Sequence, residues 1–406
     1  MQTAVAVARH VPRGNLSDLY PRWLGARELL LHGRDPYSPE ITREIQIGYY
    51  GRPLDNRRPN DPKDQEGFAY PVYVVFLLAP TIFLPFSIVQ TVFHWLLFAV
   101  VAATSLLWFE AFRWKVRWFG ILIGITLALG NFPAIQALAL RQLSVIVAGF
   151  LALVIFLISR RKFLLAGAVL AIATIKPQLT LPIVCWLIVW IAGRWRERKG
   201  LAFGLISAMA ALFAAAQWIL PGWMIKFYHA VLAYREYTGG LTAADVLFGM
   251  QFGIIADGLL IIFTAIICWR YRKCDEKTVS FYFVSCFVLA ATVALAPIFA
   301  PYNQLLLFPG LLFLVQHRSF FQPRKSWQKT LLAFTAAAIF WQWIASIVLT
   351  ASYFLISERL VLRIWQVPFY MSLPFPVIIM VLLYVCSSGI QVSSRRLQFA
   401  DVNHKL

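Results

Sequence analysis

Residues 142–199 read QLSVIVAGFLALVIFLISRRKFLLAGAVLAIATIKPQLTLPIVCWLIVWIAGRWRERK, and this stretch decides the fold class. Apolar runs over 142–159, 163–175 and 178–193 are separated only by a basic triplet and by Lys176-Pro177. A bilayer interior accepts only helices or closed barrels, because every backbone polar group must be satisfied there. The runs therefore predict membrane helices, although some fall short of the roughly 20 residues that a full span needs.

The same apolar pattern extends over most of the 406 residues. Hydrophobic residues make up 60% of the chain and charged residues 14%, against about 45–50% and 25% in soluble proteins. A soluble fold has too little interior for that much apolar surface. We predict an all-α polytopic membrane protein with about 11–12 apolar helices and a polar outer loop containing amphipathic helices. The apolar stretches are 70–86, 88–109, 118–140, 142–159, 163–175, 178–193, 201–220, 253–269, 278–298, 303–316, 329–352 and 367–387.

The charges mark one side of this membrane domain. The net charge is +19, and more than half of the 37 Lys and Arg residues lie in six short clusters between apolar stretches. Short basic loops are typical of the cytoplasmic side. No basic stripe is interleaved with exposed aromatic residues, which excludes nucleic acid as a partner. The clusters are Arg113, Lys115, Arg117; Arg160, Arg161, Lys162; Arg194, Arg196, Arg198, Lys199; Arg270, Arg272, Lys273, Lys277; Arg318, Arg324, Lys325, Lys329; and Arg395, Arg396, Lys405.

One long hydrophilic segment, residues 13–69, stands apart and is called the polar block below. It holds half of the 18 acidic residues and an equal number of basic ones, so it is neutral and free to lie outside. We predict an outer segment over 1–69, a transmembrane domain over 70–390 and a basic cytoplasmic tail over 391–406. Residues 1–12 hold no anchor, so we expect a preceding N-terminal span.

The sequence alone does not give a consistent topology for the first part of the membrane domain. If the polar block is outside and Arg113–Arg117 inside, an odd number of crossings must separate them, yet two apolar stretches, 70–86 and 88–109, lie between. Either Arg113–Arg117 is an outer loop or one early stretch is re-entrant. Asn131 and Pro133 interrupt 118–140, and such broken helices are tolerated where they line an enclosed cavity.

Polar residues at the predicted outer face are the candidates for function. Lys176 lies between apolar flanks, and Pro177 bends the chain beside it. An ionisable group there is costly, which favours a phosphate-binding role over a snorkelling lysine. Arg141 and Gln142 lie on the same predicted side, and for them an interfacial anchor is equally consistent.

Three further candidates have competing structural explanations. Tyr302 and Asn303 could hydrogen-bond a hydroxyl-rich ligand, or form a plain proline turn with an interfacial tyrosine. Asp18 precedes a predicted helix that ends at the Gly33-Arg-Asp-Pro-Tyr37 turn. Its spacing favours a helix cap, with a general base that accepts a proton from a sugar hydroxyl as the alternative.

Short motifs follow one another in a fixed order over about residues 15–310. The motifs are Ser17-Asp18-Leu-Tyr20, Ala26-Arg-Glu-Leu-Leu30, Gly33-Arg-Asp-Pro-Tyr37, Phe68-Ala-Tyr-Pro71, Leu78-Ala-Pro80, Leu84-Pro85, Arg141-Gln142, Ala166-Gly167 through Lys176-Pro177, and Pro301-Tyr302. Together they resemble glycosyltransferase family 87. Each motif is short, and the order makes the resemblance specific. Two features depart from the family pattern: the first span is absent, and Arg141 stands where a glycine usually precedes the glutamine.

The resemblance implies a glycosyltransferase-C architecture in a cell membrane, such as a bacterial inner membrane, and an inverting hexosyl- or pentosyltransferase. The expected partners are a polyprenyl-phosphate sugar donor, a lipid or glycan acceptor and the bilayer. Asp18 would be the catalytic base. No cofactor or metal is demanded, although Asp18 and Asp35 could share a metal ion. Lys176, Arg141 and Arg22 would bind the donor phosphate, and Gln142, Tyr302, Asn303 and Asp35 would bind substrate.

Two other functions remain open. A polytopic transporter or flippase would account for Lys176 and for the broken helices, but it would not need a long neutral outer block holding half of the acids. An O-antigen-ligase-like transferase also uses lipid-linked sugars, but it would place its large outer loop late in the chain, where residues 353–366 form only a short loop.

Overall fold

The computed structural model describes residues 17–387 apart from 56, 59, 60, 298, 322–325, 357–359, 361–363 and 365. These residues form helices and connecting loops without a β-strand, which confirms the predicted all-α class. The predicted tail over 391–406 and half of the loop over 353–366 lie outside the described residues.

Two helices of the polar block precede the membrane domain, and their ends follow from local sequence. Helix α1 (Leu19–His32) ends at Gly33, whose φ of 65° is left-handed and suits glycine. Helix α2 (Pro39–Tyr50) begins with Pro39 in its first turn, and the Ser38 hydroxyl accepts a hydrogen bond from a backbone N–H. The helices expected in this block are therefore present: α2 is amphipathic and buries Ile41, Ile45 and Tyr49, whereas α1 is buried over most of its length.

Among the described residues, sixteen further helices follow in chain order, and a 3₁₀ helix at Pro301–Leu307 precedes α15. The helices are α3 (Val74–Leu78), α4 (Phe86–Ala111), α5 (Trp118–Gly130), α6 (Phe132–Ala139), α7 (Ser144–Ser159), α8 (Phe163–Ala173), α9 (Pro177–Gly193), α10 (Trp195–Ile219), α11 (Trp223–Thr238), α12 (Ala243–Phe248), α13 (Met250–Tyr271), α14 (Val279–Leu295), α15 (Phe308–Gln316), α16 (Ser326–Leu355), α17 (Gln366–Ser372) and α18 (375–387).

The membrane domain consists of long apolar helices and of shorter ones. Five described helical segments are long and apolar enough to span a bilayer, and α5 with α6, bent by 61° at their junction, is long and apolar enough when the two are taken together. The shorter apolar helices α7 and α14 are buried along most of their length. A short helix is tolerated there because neighbouring protein, rather than lipid, surrounds it. The chain is a multi-pass membrane protein.

The predicted apolar stretch 70–86 is not one helix, and this bears on the early topology. It forms only α3, of five residues, and a three-residue 3₁₀ helix at Ala79–Thr81. Pro80 and Pro85 interrupt helix continuation, and five residues rise only about 8 Å against a hydrocarbon core of about 30 Å. The Trp23 indole N–H also donates to the Thr81 carbonyl, which fastens the segment to α1. Between the polar block and residues 113–117, α4 is the one described helix long and apolar enough to span a bilayer.

Ion pairs between distant loops place the end of α4 and the clusters at 160–162 and 270–277 on one side, called the basic side below. Arg160 pairs with Glu110 at 2.7 Å, and Arg161 pairs with Glu276 at 2.7 Å. Arg113–Arg117 follows Glu110 at the end of α4, so it also belongs to the basic side. Arg113–Arg117 therefore lies on the same side as these two clusters, which favours the alternative of a re-entrant early stretch. The positive-inside rule predicts that the basic side faces the cytoplasm.

The break in the span α5–α6 follows from Asn131 and Pro133. The Asn131 carboxamide oxygen accepts from the Ala134 N–H at 2.7 Å, and its amide donates to the Ala128 carbonyl at 2.9 Å. The Asn131 side chain thus caps the N-terminus of α6 and donates a hydrogen bond to a carbonyl at the C-terminus of α5. The bend directs the end of α6 and the following Arg141-Gln142 toward the polar block.

The backbones of helices α8 and α10 pack directly against each other. This contact holds α8, the helix that precedes Lys176, in position. A Cβ atom on Gly167 would lie 2.2 Å from the Leu201 carbonyl oxygen, and one on Gly204 would lie 2.0 Å from the Leu164 carbonyl oxygen. Only glycine fits at either position. Small residues at helix contacts are typical of membrane bundles, where packing rather than the hydrophobic effect holds helices together.

Arg198, one of the basic-side cations, is a buried structural group. Its side chain is 1% exposed, and its guanidinium donates to the backbone carbonyls of Trp190, Arg272 and Cys274. It also stacks 3.7 Å from the centre of the Trp190 ring. Arg198 therefore ties the basic-side ends of α9, α10 and α13 together.

We expect Arg198→Met to lower the free energy of unfolding by about 2–4 kcal/mol, because buried carbonyls lose charged donors. The measurement is the midpoint of unfolding in detergent titrated with SDS. Arg196→Met is the matched control, since Arg196 lies two residues away and is exposed. Its midpoint should stay within about 0.5 kcal/mol of the parent. Equal midpoints for the two variants would contradict the structural role of Arg198.

Candidate active site

Asp18 stands at the N-cap position of α1, but its carboxylate does not cap that helix. The carboxylate instead accepts a hydrogen bond from the Gln142 side-chain amide. The Asp18 N–H donates to the Leu140 carbonyl at 3.2 Å, so the polar block is joined to the α6–α7 turn by its backbone as well. The explanation of Asp18 as only a helix cap is wrong.

Gln142 bridges Asp18 and Lys176, and the two charges fix its orientation. The Gln142 oxygen accepts from the Lys176 ammonium at 3.0 Å, while its NH₂ group donates to the carboxylate. The reversed amide would turn oxygen toward carboxylate and NH₂ toward ammonium, which is repulsive on both sides. Gln142 therefore holds a proton acceptor and a cation on opposite ends of one buried amide.

Lys176 reaches this position because the chain breaks between α8 and α9. Pro177 begins α9 and lacks an N–H, and the Thr180 hydroxyl donates to the Ala173 carbonyl at 2.8 Å. The Lys176 side chain is 5% exposed, and its ammonium lies 5.0 Å from the centre of the Tyr302 ring. The break therefore places a buried cation beside an aromatic face and an amide oxygen.

Arg22 is the second buried cation at this place. Its guanidinium donates to the Asp18 backbone carbonyl at 2.7 Å, and lies 4.8 Å from the Tyr70 ring and 4.0 Å from the Glu66 carboxylate. Burial alone would lower the pKa of Arg22, but Tyr70, Asp18 and Glu66 together raise it. The guanidinium is therefore held in its charged form.

The residues that meet here are called the Asp18–Lys176 cluster below. Five members were predicted from sequence, and Tyr70 is added because its ring stacks on Arg22 and its hydroxyl lies near the Lys176 ammonium. The cluster consists of Asp18, Arg22, Tyr70, Gln142, Lys176 and Tyr302.

Sequence reasoning missed Glu66 and Tyr234 beside the cluster. Glu66 is 5% exposed and has a φ of 53°, a left-handed conformation that is costly for a residue with a side chain. Burial raises the pKa of the Tyr234 hydroxyl, and the Asp64 and Asp18 carboxylates add to the rise. Tyr234 belongs to α11, so this helix covers the cluster from the membrane domain. Neither residue lies in a motif that could have identified it.

Arg141 has contacts that suit its turn rather than the cluster. Its φ is 52°, and its guanidinium donates to the Ala139 carbonyl at 2.5 Å within the same turn. A left-handed conformation is one that glycine adopts without strain. This explains physically why a glycine would fit before Gln142, and it leaves the phosphate-binding role of Arg141 a prediction.

We expect Arg141→Gly to preserve the turn and the Gln142 bridge, since glycine relieves about 1 kcal/mol of left-handed strain. The KM for a lipid-linked donor should change by less than about threefold. Arg141→Ala, which keeps the strain but also lacks the guanidinium, is the matched control. A rise of more than about tenfold in donor KM for both variants would establish Arg141 as a phosphate ligand.

Two other predicted substrate-binding residues differ in position. Asn303 follows Tyr302 in the 3₁₀ helix, is 7% exposed, and its side-chain oxygen has no hydrogen-bond partner among the described residues. Asp35 pairs with Lys226 of α11 at 2.8 Å and accepts from the Tyr37 N–H at 2.9 Å. Asn303 is therefore next to the cluster, whereas Asp35 fastens α11 to the polar block.

The described residues contain no group of three or more His, Cys, Asp or Glu side chains that could hold a metal ion. What the cluster offers is a carboxylate that can accept a proton and two buried cations that can stabilise a developing phosphate charge. It lies where the polar block meets the membrane helices. A reactant with a polar head and an apolar tail could reach this position from the bilayer.

One of three comparisons with known proteins finds a family for this chain. A family model described as glycosyltransferase family 87 matches residues 68–301, which is more than half of the chain. The match includes Tyr70, Gln142 and Lys176 and begins after Asp18 and Arg22. No curated protein and no solved structure matches the chain.

Proposed function

Because the chain belongs to glycosyltransferase family 87 and is a membrane glycosyltransferase, we propose that it moves a sugar from a polyprenyl-phosphate donor to an acceptor hydroxyl. The hydrogen-bonded series Asp18–Gln142–Lys176 carries this proposal, because it holds a proton acceptor and a phosphate-binding cation in one buried arrangement. We further propose that the reaction takes place at the outer face of a cell membrane, such as a bacterial inner membrane.

The proposed step is an inverting displacement at the anomeric carbon. The Asp18 carboxylate takes the proton of the acceptor hydroxyl, and the hydroxyl oxygen forms the new glycosidic bond. The bond between the anomeric carbon and the phosphate oxygen breaks at the same time, and its electron pair leaves with the polyprenyl phosphate. Lys176 and Arg22 stabilise the negative charge that develops on this leaving group.

Gln142 is proposed as a positioning residue. Its bridge keeps Asp18 directed away from its own helix and holds the Lys176 ammonium by one hydrogen bond, beside the Tyr70 hydroxyl. A neutral amide between the two charged groups prevents a direct ion pair. In a direct ion pair, the Asp18 carboxylate would be a weaker proton acceptor, and the Lys176 ammonium would be less available to the phosphate.

The experiment that tests this function is a transfer assay with the purified full chain in lipid nanodiscs. The donors are polyprenyl-phosphate hexoses and pentoses, and nucleotide sugars with the same sugar groups serve as matched controls. We expect turnover with at least one lipid-phosphate donor and none with the nucleotide sugars. Absence of turnover with every lipid donor, together with movement of labelled donor between leaflets, would favour the rival transporter or flippase.

A further inference from the structure

A cavity of about 1060 Å³ lies between the polar block and α11, beside the Asp18–Lys176 cluster. One wall consists of polar-block residues that include Tyr37 and Phe68, and the other of α11 residues that include Ala233 and Tyr237. The volume is at the upper end of the roughly 300–1,000 Å³ typical of sites for drug-sized ligands. It therefore has room for a ligand of several sugar rings.

Both walls of the cavity are formed by chain segments that also contribute residues to the cluster or beside it. Gly67, Phe68 and Ala69 line the cavity, and the next residue, Tyr70, stacks on Arg22 in the cluster. On α11, Tyr237 lines the cavity, and Tyr234, one turn earlier, is close enough to the cluster for the Asp18 charge to act on its hydroxyl. The cavity and the cluster are therefore neighbouring sites that share the loop before Tyr70 and helix α11.

The chemistry of the lining suits an uncharged ligand with many hydroxyl groups. The described charged lining residues are three acids, Asp55, Asp61 and Glu236, and two bases, Arg58 and Lys63, so neither sign dominates. Asp61 is already held by Arg52 through two hydrogen bonds, of 2.8 and 2.5 Å. An anionic ligand would prefer the two buried cations of the cluster. A mixed lining instead offers donors and acceptors to hydroxyl groups.

Aromatic side chains supply apolar faces in the same cavity. Phe68 and Tyr37 meet edge to face with ring centres 5.3 Å apart, and the Tyr37 hydroxyl donates to the Tyr70 carbonyl at 2.6 Å. These contacts hold both rings in place before a ligand arrives, which reduces the entropy cost of binding. Rigid aromatic faces beside hydrogen-bonding groups match the two surfaces of a sugar ring, which has apolar C–H faces and a polar edge.

Resting on the proposed function, we infer that this cavity binds the acceptor, and that the acceptor is a neutral oligosaccharide or polysaccharide end of at least two sugar units. The donor lipid meets the membrane side of the cluster, and the acceptor glycan meets it from the cavity. The acceptor is thus recognised by sugar units beyond the one that receives the new bond.

The test measures transfer by purified full chain in nanodiscs to neutral oligosaccharides of one to four units from several linkage series. We expect the kcat/KM for acceptor to rise at least tenfold from one unit to three in at least one series. A rate that does not depend on acceptor length, or transfer to lipid alcohols but to no oligosaccharide, would overturn the inference.

Variants of α11 locate the effect in the cavity. Ala233→Trp fills it, and Tyr237→Ala removes an aromatic face. For both we expect at least a tenfold higher KM for the oligosaccharide. Leu232→Trp is the matched control, because Leu232 is exposed on the same helix and does not line the cavity; its KM should stay within about twofold of the parent. An equal rise of donor and acceptor KM in Ala233→Trp would place the damage at the reaction centre and overturn the inference.

Failure of this inference and failure of the proposed function are distinguishable. If no donor is turned over, the proposed function fails. The same oligosaccharides are then titrated into the chain by calorimetry. Binding that Ala233→Trp abolishes and Leu232→Trp retains would still support a glycan site, whereas no binding would overturn it.

Discussion

Asp18→Asn is expected to lower kcat by about 10²–10⁴-fold, because the acceptor hydroxyl loses its general base. Asparagine keeps the size of the side chain and retains an oxygen that can accept from the Gln142 amide, so the bridge should survive. The KM for donor should change little. The measurement is initial-rate kinetics in nanodiscs at saturating donor.

The control for this prediction is Glu40→Gln. Glu40 is an exposed carboxylate of the same polar block, in the first turn of α2. The Glu40→Gln substitution removes one negative charge away from the cluster, so the kcat of this variant should remain within about twofold of the parent. Full activity in Asp18→Asn would exclude Asp18 as the base, and an equal loss in Glu40→Gln would indicate a general charge effect.

Lys176→Met is expected to lower kcat by about 10²–10³-fold, because the departing phosphate loses a cation placed before the reaction begins. Methionine has a similar length and replaces the ammonium with an uncharged group. The donor KM should rise as well, since the same ammonium is proposed to bind the donor phosphate in the ground state. Both parameters come from one donor titration.

Changing the leaving group of the donor distinguishes a role of Lys176 in stabilising the departing phosphate from a purely structural role. A polyprenyl diphosphate sugar carries a better leaving group than the monophosphate, so the loss in Lys176→Met should be smaller with the diphosphate donor. Lys115→Met, which removes an exposed lysine on the basic side, should leave both donors unaffected. The same loss with both donors would indicate that Lys176 only supports the fold.

The features that sequence predicts well are those whose cause is local. Lys176 could be singled out because a lysine followed by proline within an apolar run is costly wherever it lies. The broken span at Asn131 could be predicted because a capping asparagine and a proline stand two residues apart. The all-α class follows from the apolar runs alone.

The features that sequence missed depend on partners far apart in the chain. Sequence spacing favoured Asp18 as a helix cap. In the structure its carboxylate is directed toward Gln142 instead, and no local sequence pattern connects these two residues. Glu66 and Tyr234 reach the cluster only through the packing of the loop before Tyr70 and of α11. The stretch 70–86 has the hydropathy of a span, but its prolines prevent a continuous helix.

The most direct test of the central claim combines stereochemistry and stoichiometry in one reaction. A lipid-linked donor of known anomeric configuration is turned over with an oligosaccharide acceptor by the purified chain, and the glycosidic product is analysed by NMR. We predict the opposite anomeric configuration in the product and one polyprenyl phosphate released for each sugar transferred. Retained configuration, or transfer without release of polyprenyl phosphate, would contradict an inverting displacement at the Asp18–Lys176 cluster.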